Sequence, residues 1–335
     1  MPPEAAVLPA SDAARARLPA AWRAPLVALG LSVLALIGVT AGSWGAMLNQ
    51  WWNIDTYNHL MLVPFIIGWL VALKEHDLAA IAPQPFWPGL AAVAAALGLW
   101  CAGETQGINL VAQAGAVGAV QAAVVTLLGL RASLVLALPI AFAAFMVPFG
   151  DEIIPPLQDF TAQIAIALTH ASGVAARIEG IHIHTPAGIF IVAEACAGVK
   201  FLIAMVTLGV LVCATRLRRW TTRAAFMAAC VIVPVLANGV RAWATIYVAQ
   251  FIGADKATGF DHIVYGWVFF GLVIAVLLGA AWRFVEREPE TYGWPLAAIE
   301  ALGWVTRTET YRLAPISAAL AIVALAGVAV LAALL

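Results

Sequence analysis

Apolar runs of roughly twenty residues, carrying at most one Lys or Arg each, recur along this chain, and they constrain its fold more than any other feature. They lie at 26–43, 109–129, 132–149, 196–214, 224–250, 262–284 and 313–334, with shorter ones at 59–73 and 88–103. A bilayer core is crossed by ~17–25 apolar helical residues, and only helices or closed barrels satisfy their backbone groups there. The chain is 64% hydrophobic and 10% charged, with a mean hydropathy of +0.96, outside the range of water-soluble domains. The expected fold is therefore an all-α polytopic membrane protein with about eight to nine spans in the lipid bilayer.

Less apolar segments complete the plan. Residues 1–24 read as a disordered cytoplasmic tail, because they lack the apolar core and small-residue cleavage site of a secretory signal. Residues 25–285 read as the membrane domain, 286–312 as a cytoplasmic connector and 313–335 as a final span. A helix at 157–173, introduced by Pro155-Pro156, suits an outer-face interfacial position. Ile181-His182-Ile183-His184, Thr185-Pro186-Ala187-Gly188 and Ile189-Phe190-Ile191-Val192 read as strand, turn and strand, a short β-hairpin. Four cysteines without metal-ligand spacing predict no metal and no disulfide framework, and a net charge of −1 gives no sign of nucleic acid binding.

Basic residues orient the spans, because they accumulate in cytoplasmic loops. With the amino terminus inside, only Arg177, Lys200, Arg241 and Lys256 of the 17 Lys and Arg fall outside. Cys196 then opens an inward span at the outer boundary. The next span returns outward from about residue 224 and carries Arg241 about 26 Å along it. His262 opens the span after that. A thiol, a guanidinium and an imidazole thus share one depth on one face.

That trio suits covalent acyl transfer. A thiolate is the nucleophilic form, and a helix amino terminus or a nearby cation stabilises it. His262 is placed to take the thiol proton and return it to a leaving amine. Arg241, costly in a membrane helix unless partnered, would hold the scissile carbonyl and its developing negative charge. Asn238, three residues earlier on the same face, would assist with the carbonyl or orient Arg241. Glu194 works against a thiolate at Cys196 and would rather anchor Lys200 or the substrate backbone. Asp55 and His59, four apart and at the same depth, would share a helix face if the helix extends back that far, in a supporting or substrate-binding role. His182 and His184 share a strand face, but two histidines are weak grounds for a metal site. A purely hydrolytic intramembrane cysteine protease and a transporter with an Arg/His-lined pathway are the competing readings.

Glu194-Ala-Cys-Ala-Gly-Val-Lys200, Ala237-Asn-Gly-Val-Arg-Ala242 and His262-x-x-x-Gly266-Trp267-x-x-Phe270 resemble the three signature blocks of the exosortase/archaeosortase family. Asp55-Thr-Tyr-Asn-His-Leu-Met-Leu-Val-Pro64 and Phe145-Met-Val-Pro148, with Pro155, Leu157 and Gln158, resemble its earlier blocks. The Ala-Gly-Val form is most similar to bacterial exosortase A. The resemblance implies a polytopic cysteine transpeptidase without cofactor, with Cys196 as nucleophile and Arg241 and His262 as its catalytic partners. Its substrates would be exported proteins whose carboxy-terminal sorting signal comprises a Pro-Glu-Pro-like motif, one membrane helix and a basic tail. Cleavage would occur at the periplasmic face of the bacterial inner membrane, with transfer to a cell-envelope acceptor of unknown identity, in a setting often linked to exopolysaccharide loci. Two departures stand out. Lys200 occupies a position where arginine is common, and the sequence ends at Leu335, before the outer-face domain found after the last span in many exosortase A chains, which is either lacking or cut away.

Overall fold

The computed structural model describes residues 18–254, 256–257 and 266–334. Its longer helices are α1 (Arg23–Val39), α2 (Ala41–Asn53), α3 (Val63–Ala72), α4 (Gly89–Gln106), α5 (Asn109–Val135) and α6 (Ala137–Phe142). They continue as α7 (Ile154–Ala171), α8 (Val199–Thr215), α9 (Trp220–Ile252), α10 (Gly266–Trp282) and α11 (Pro315–Ala333). The all-α membrane fold holds, but the number of spans does not.

Among the described residues, four helical stretches are long and apolar enough to cross a bilayer: Ala20–Val39, Asn109–Val135, Trp220–Ile252 and Pro315–Ala333. Two bent pairs raise the number to six if each counts as one span. They are Ala41–Asn53 with Asn58–Ala72, bent by 112°, and Ala137–Met146 with Asp151–Ala171, bent by 64°. The expected eight to nine spans are therefore not supported among the described residues, where the runs at 196–214 and 262–284 give only the shorter apolar helices Val199–Thr215 and Val268–Trp282. The second bend has a local cause. Pro148 disfavours helical geometry at the residue before it, and Val147 is extended at φ −76°, ψ 123°. Gly150 then turns with φ 115°, and Pro155-Pro156 open α7 as expected.

Helices α1, α4, α5 and α11 pack into one apolar core around Leu36, Leu97, Ala116 and Ile322. Helix begins at Ala20, inside the stretch read as a tail, where buried Trp22 donates its indole N–H to Ile81 O at 2.8 Å. A second core joins α2, α3 and α6 to the start of α8. The connector after α10 folds back on the bundle. Tyr292 is buried and donates to Leu70 O at 2.7 Å, with the Lys74 ammonium 4.7 Å from its ring centre.

The expected hairpin is present and belongs to a three-stranded antiparallel sheet. Its strands are β1 (Arg177–Glu179), β2 (His182–Thr185) and β3 (Gly188–Ile191), in the order β1-β2-β3. His182 pairs with Ile191, Ile183 with Phe190, His184 with Ile189 and Thr185 with Gly188. One face turns Ile183 and Phe190 onto Ala162 and Ala165 of α7 and Ile246 and Ala249 of α9. The sheet therefore caps the half of α9 remote from Arg216–Arg223.

Candidate active site

Strand β3 delivers the chain into the cysteine turn. Ala193 is extended, and Glu194–Cys196 then form one turn of 3-10 helix in which the Cys196 N–H donates to Ala193 O at 2.8 Å. Gly198 adopts φ 81°, and α8 starts at the next residue. Asn238 of α9 fixes this turn from the other side. Its side-chain amide donates to Cys196 O at 2.7 Å and to Thr161 Oγ1 of α7 at 3.1 Å. One buried side chain thus ties two helices to the backbone of the cysteine.

Two glycines permit this approach. A Cβ on Gly198 would stand 2.8 Å from Asn238 Cγ, and one on Gly239 would stand 2.5 Å from Ile164 Cγ2. A left-handed φ at Gly198 adds the usual cost for any residue bearing a side chain. Gln158 of α7 closes the frame by donating from its amide to Val192 O at 2.8 Å.

A cavity of about 320 Å³ opens beside the turn, bounded by Cys196, Asn238 and Arg241. Apart from Thr245, the rest of its wall is apolar, from Phe190 and Val192 of the sheet side to Ala242 and Ile246 of α9. Arg241 is 8% exposed and lies three residues, close to one helical turn, beyond Asn238. Cys196 is half-buried. A carbonyl entering this cavity meets a nucleophile and a guanidinium in low-dielectric surroundings, where fixed donors act most strongly on developing charge.

The other expected residues divide sharply. His262 lies outside the described residues. Glu194 is exposed and does not border the cavity, and Lys200 rests 5.2 Å from the Phe201 ring centre. No ion pair joins Glu194 to Lys200 among the described residues. Asp55 and His59 do not share a helix face, which corrects the expectation from their spacing. Helix α2 ends at Asn53, Asp55 is exposed in the break, and His59 sits in a separate 3-10 segment, Asn58–Leu62. That segment packs behind the cysteine turn, where Tyr57 and Leu60 share a core with Ala197 and Val199. The buried Nε2 of His59 has no hydrogen-bond partner among the described residues. His182 and His184 flank buried Ile183, with His184 Nε2 3.8 Å from Glu179, and no metal-binding group of three occurs among the described residues.

Sequence reasoning missed Thr161 and the frame role of Gln158. Thr161 gives no signal, since Thr126 and Thr169 look the same in sequence yet bond only to carbonyls four residues earlier on their own helices. Cys101, Cys213 and Cys230 are free thiols that do not border the cavity.

The sequence model for transmembrane exosortases matches residues 51–279, a stretch that includes every block quoted above. No curated protein and no solved structure matched the sequence. The family match covers well over half of the chain, and the protein belongs to the transmembrane exosortase family, membrane-embedded sorting enzymes that act on exported proteins.

Proposed function

We propose that the protein cleaves carboxy-terminal sorting signals through a thioester on Cys196. The thiolate attacks the scissile carbonyl, the C–N bond breaks, and the leaving amine takes the proton that His262 accepted from the thiol. Arg241 stabilises the oxyanion, while Asn238 positions the nucleophile by holding the Cys196 carbonyl rather than the substrate. A cell-envelope acceptor then attacks the thioester and frees the thiol. The substrate is an exported protein with a Pro-Glu-Pro-like motif, one membrane helix and a basic tail. Processing takes place at the periplasmic face of the inner membrane, a sidedness supported by the bias of basic residues toward the opposite face.

One observation carries this reading: Cys196 and Arg241 border the same cavity, although they belong to different helices joined through Asn238. Co-expression with a protein bearing such a tail tests it. Cys196→Ser and His262→Ala should leave the tail uncut, and Arg241→Ala should slow cleavage about 100- to 1000-fold, the usual loss on removing one oxyanion donor. Normal processing by Cys196→Ser refutes the proposal. The mass of the released product separates transfer from hydrolysis, since water leaves a free carboxylate and an acceptor leaves an adduct.

A further inference from the structure

The geometry points to β3 as the docking edge for the substrate, which binds as a fourth, extended strand leading into Cys196. This inference rests on the reading of the cavity as the cleavage site. In the order β1-β2-β3, no strand among the described residues pairs with the outer edge of β3. The Val192 N–H donates inward to Ile181 O at 3.0 Å. With Thr185 paired to Gly188 and Ile183 to Phe190, the alternation of an antiparallel ladder turns the backbone groups of Ile189 and Ile191 outward. The Ile191 carbonyl is taken by the Ala193 N–H at 2.9 Å. What remains along the edge is a donor and an acceptor at Ile189 and a donor at Ile191.

A polypeptide in extended conformation is the occupant that complements such a row, by strand addition. The surroundings agree. Ile189 and Ile191 are 60% and 57% exposed, project to one face, and border the cavity that holds Cys196. Only four residues separate Ile191 from the nucleophile, so a strand laid on this edge reaches the thiol without a turn. Specificity follows from the period of two: the site takes the extended segment that precedes the substrate's membrane helix, reading apolar side chains at alternate positions against Ile189 and Ile191.

Disulfide trapping tests the docking without turnover. Full-length enzyme carrying Cys196→Ser and Ile189→Cys is co-expressed with substrates that place one cysteine at each of six consecutive positions before their membrane helix, and then oxidised. Adducts at every second position are expected. A flat profile, adducts spaced three or four apart, or none at all overturns the docking. In the active enzyme, proline at 191 removes the outward N–H and spares the ladder to β2, so Ile191→Pro should process substrate about 2- to 10-fold more slowly than Ile191→Ala. Equal rates count against the docking, provided Cys196 retains its wild-type labelling by a thiol reagent. If cleavage by the parent enzyme persists in Cys196→Ser, the reading of the site fails. If cleavage needs Cys196 but trapping shows no alternation, strand docking alone fails.

Discussion

Gly198→Ala offers the sharpest test of how the cysteine turn is held. Gly198 has φ 81°, and forcing alanine into the left-handed region costs about 1–2 kcal/mol. Its Cβ would stand 2.8 Å from Asn238 Cγ and 2.9 Å from Nδ2, so the amide must move. Moving it breaks the 2.7 Å bond to Cys196 O and the 3.1 Å bond to Thr161 Oγ1, and stranding a buried polar group costs about 1–3 kcal/mol. The single substitution should therefore destabilise by about 2–5 kcal/mol in total. Asn238→Ala alone loses the same hydrogen bonds, about 1–3 kcal/mol. In the double variant the amide that clashes is gone and only the Cβ of residue 238 remains close, at 3.1 Å, so little beyond the backbone strain is added to the loss already incurred. The cycle should therefore be less than additive by about 1–3 kcal/mol, within the range of coupled neighbours. Denaturation of the purified protein in one detergent supplies the four stabilities, and tail cleavage supplies the four activities. Strict additivity in both would refute the idea that Gly198 is required to make room for Asn238.

Arg241→Lys keeps the charge and loses the planar fork, so cleavage should fall well below wild type while substrate trapping by the Cys196→Ser background persists. Gly239→Ala should lower stability by about 1–3 kcal/mol through overpacking against Ile164, and Ile164→Ala in the same chain should recover part of it in thermal unfolding. Glu286 accepts the backbone N–H groups of Arg218 and Arg219 at 2.8 and 2.9 Å and pairs with Arg219 Nε at 3.1 Å. These bonds, the one from Arg219 first, hold its carboxyl below the usual carboxylate range. A depressed acid stabilises the fold at neutral pH and loses that contribution as pH falls through and below the ordinary carboxylate value. A melting series between neutral pH and pH 3.5 should show a shallower acid slope for Glu286→Gln than for wild type.

The hairpin and the meeting of Cys196 with Arg241 were legible in the sequence, the one from alternation around a turn, the other from counting residues along two spans. Asn238 was also singled out, but as a helper of the substrate carbonyl or a group that orients Arg241. Its partner is the carbonyl of Cys196 itself, a distinction that depends on the depth at which α7 and α9 cross. Asp55 shows the opposite failure. A spacing of four means one face only if the helix is continuous, and α2 ends at Asn53. Strand β1 escaped notice because Arg177-Ile178-Glu179 is short, polar and exposed. The span number was overread because an apolar run does not fix helix length: among the described residues the runs at 196–214 and 262–284 give only the shorter helices Val199–Thr215 and Val268–Trp282.

Helix α9 runs unbroken for 33 residues from Trp220 to Ile252, with the arginine-rich segment at its start and the cavity wall at its far half. Asn238 and Arg241 therefore sit about 27 and 32 Å from Trp220 at the helical rise of 1.5 Å per residue. This makes the helix a ruler. On the proposed mechanism, the separation between the cutting point and the basic rim is counted along one helix, which carries Pro234 between them, and is not left to loop packing. Adding or deleting one residue between Ala224 and Ala237 would shift the cavity wall by about 1.5 Å and rotate it by about 100°. On that mechanism, a substrate lying alongside would be gauged by the length of its own membrane helix before its peptide bond is tested.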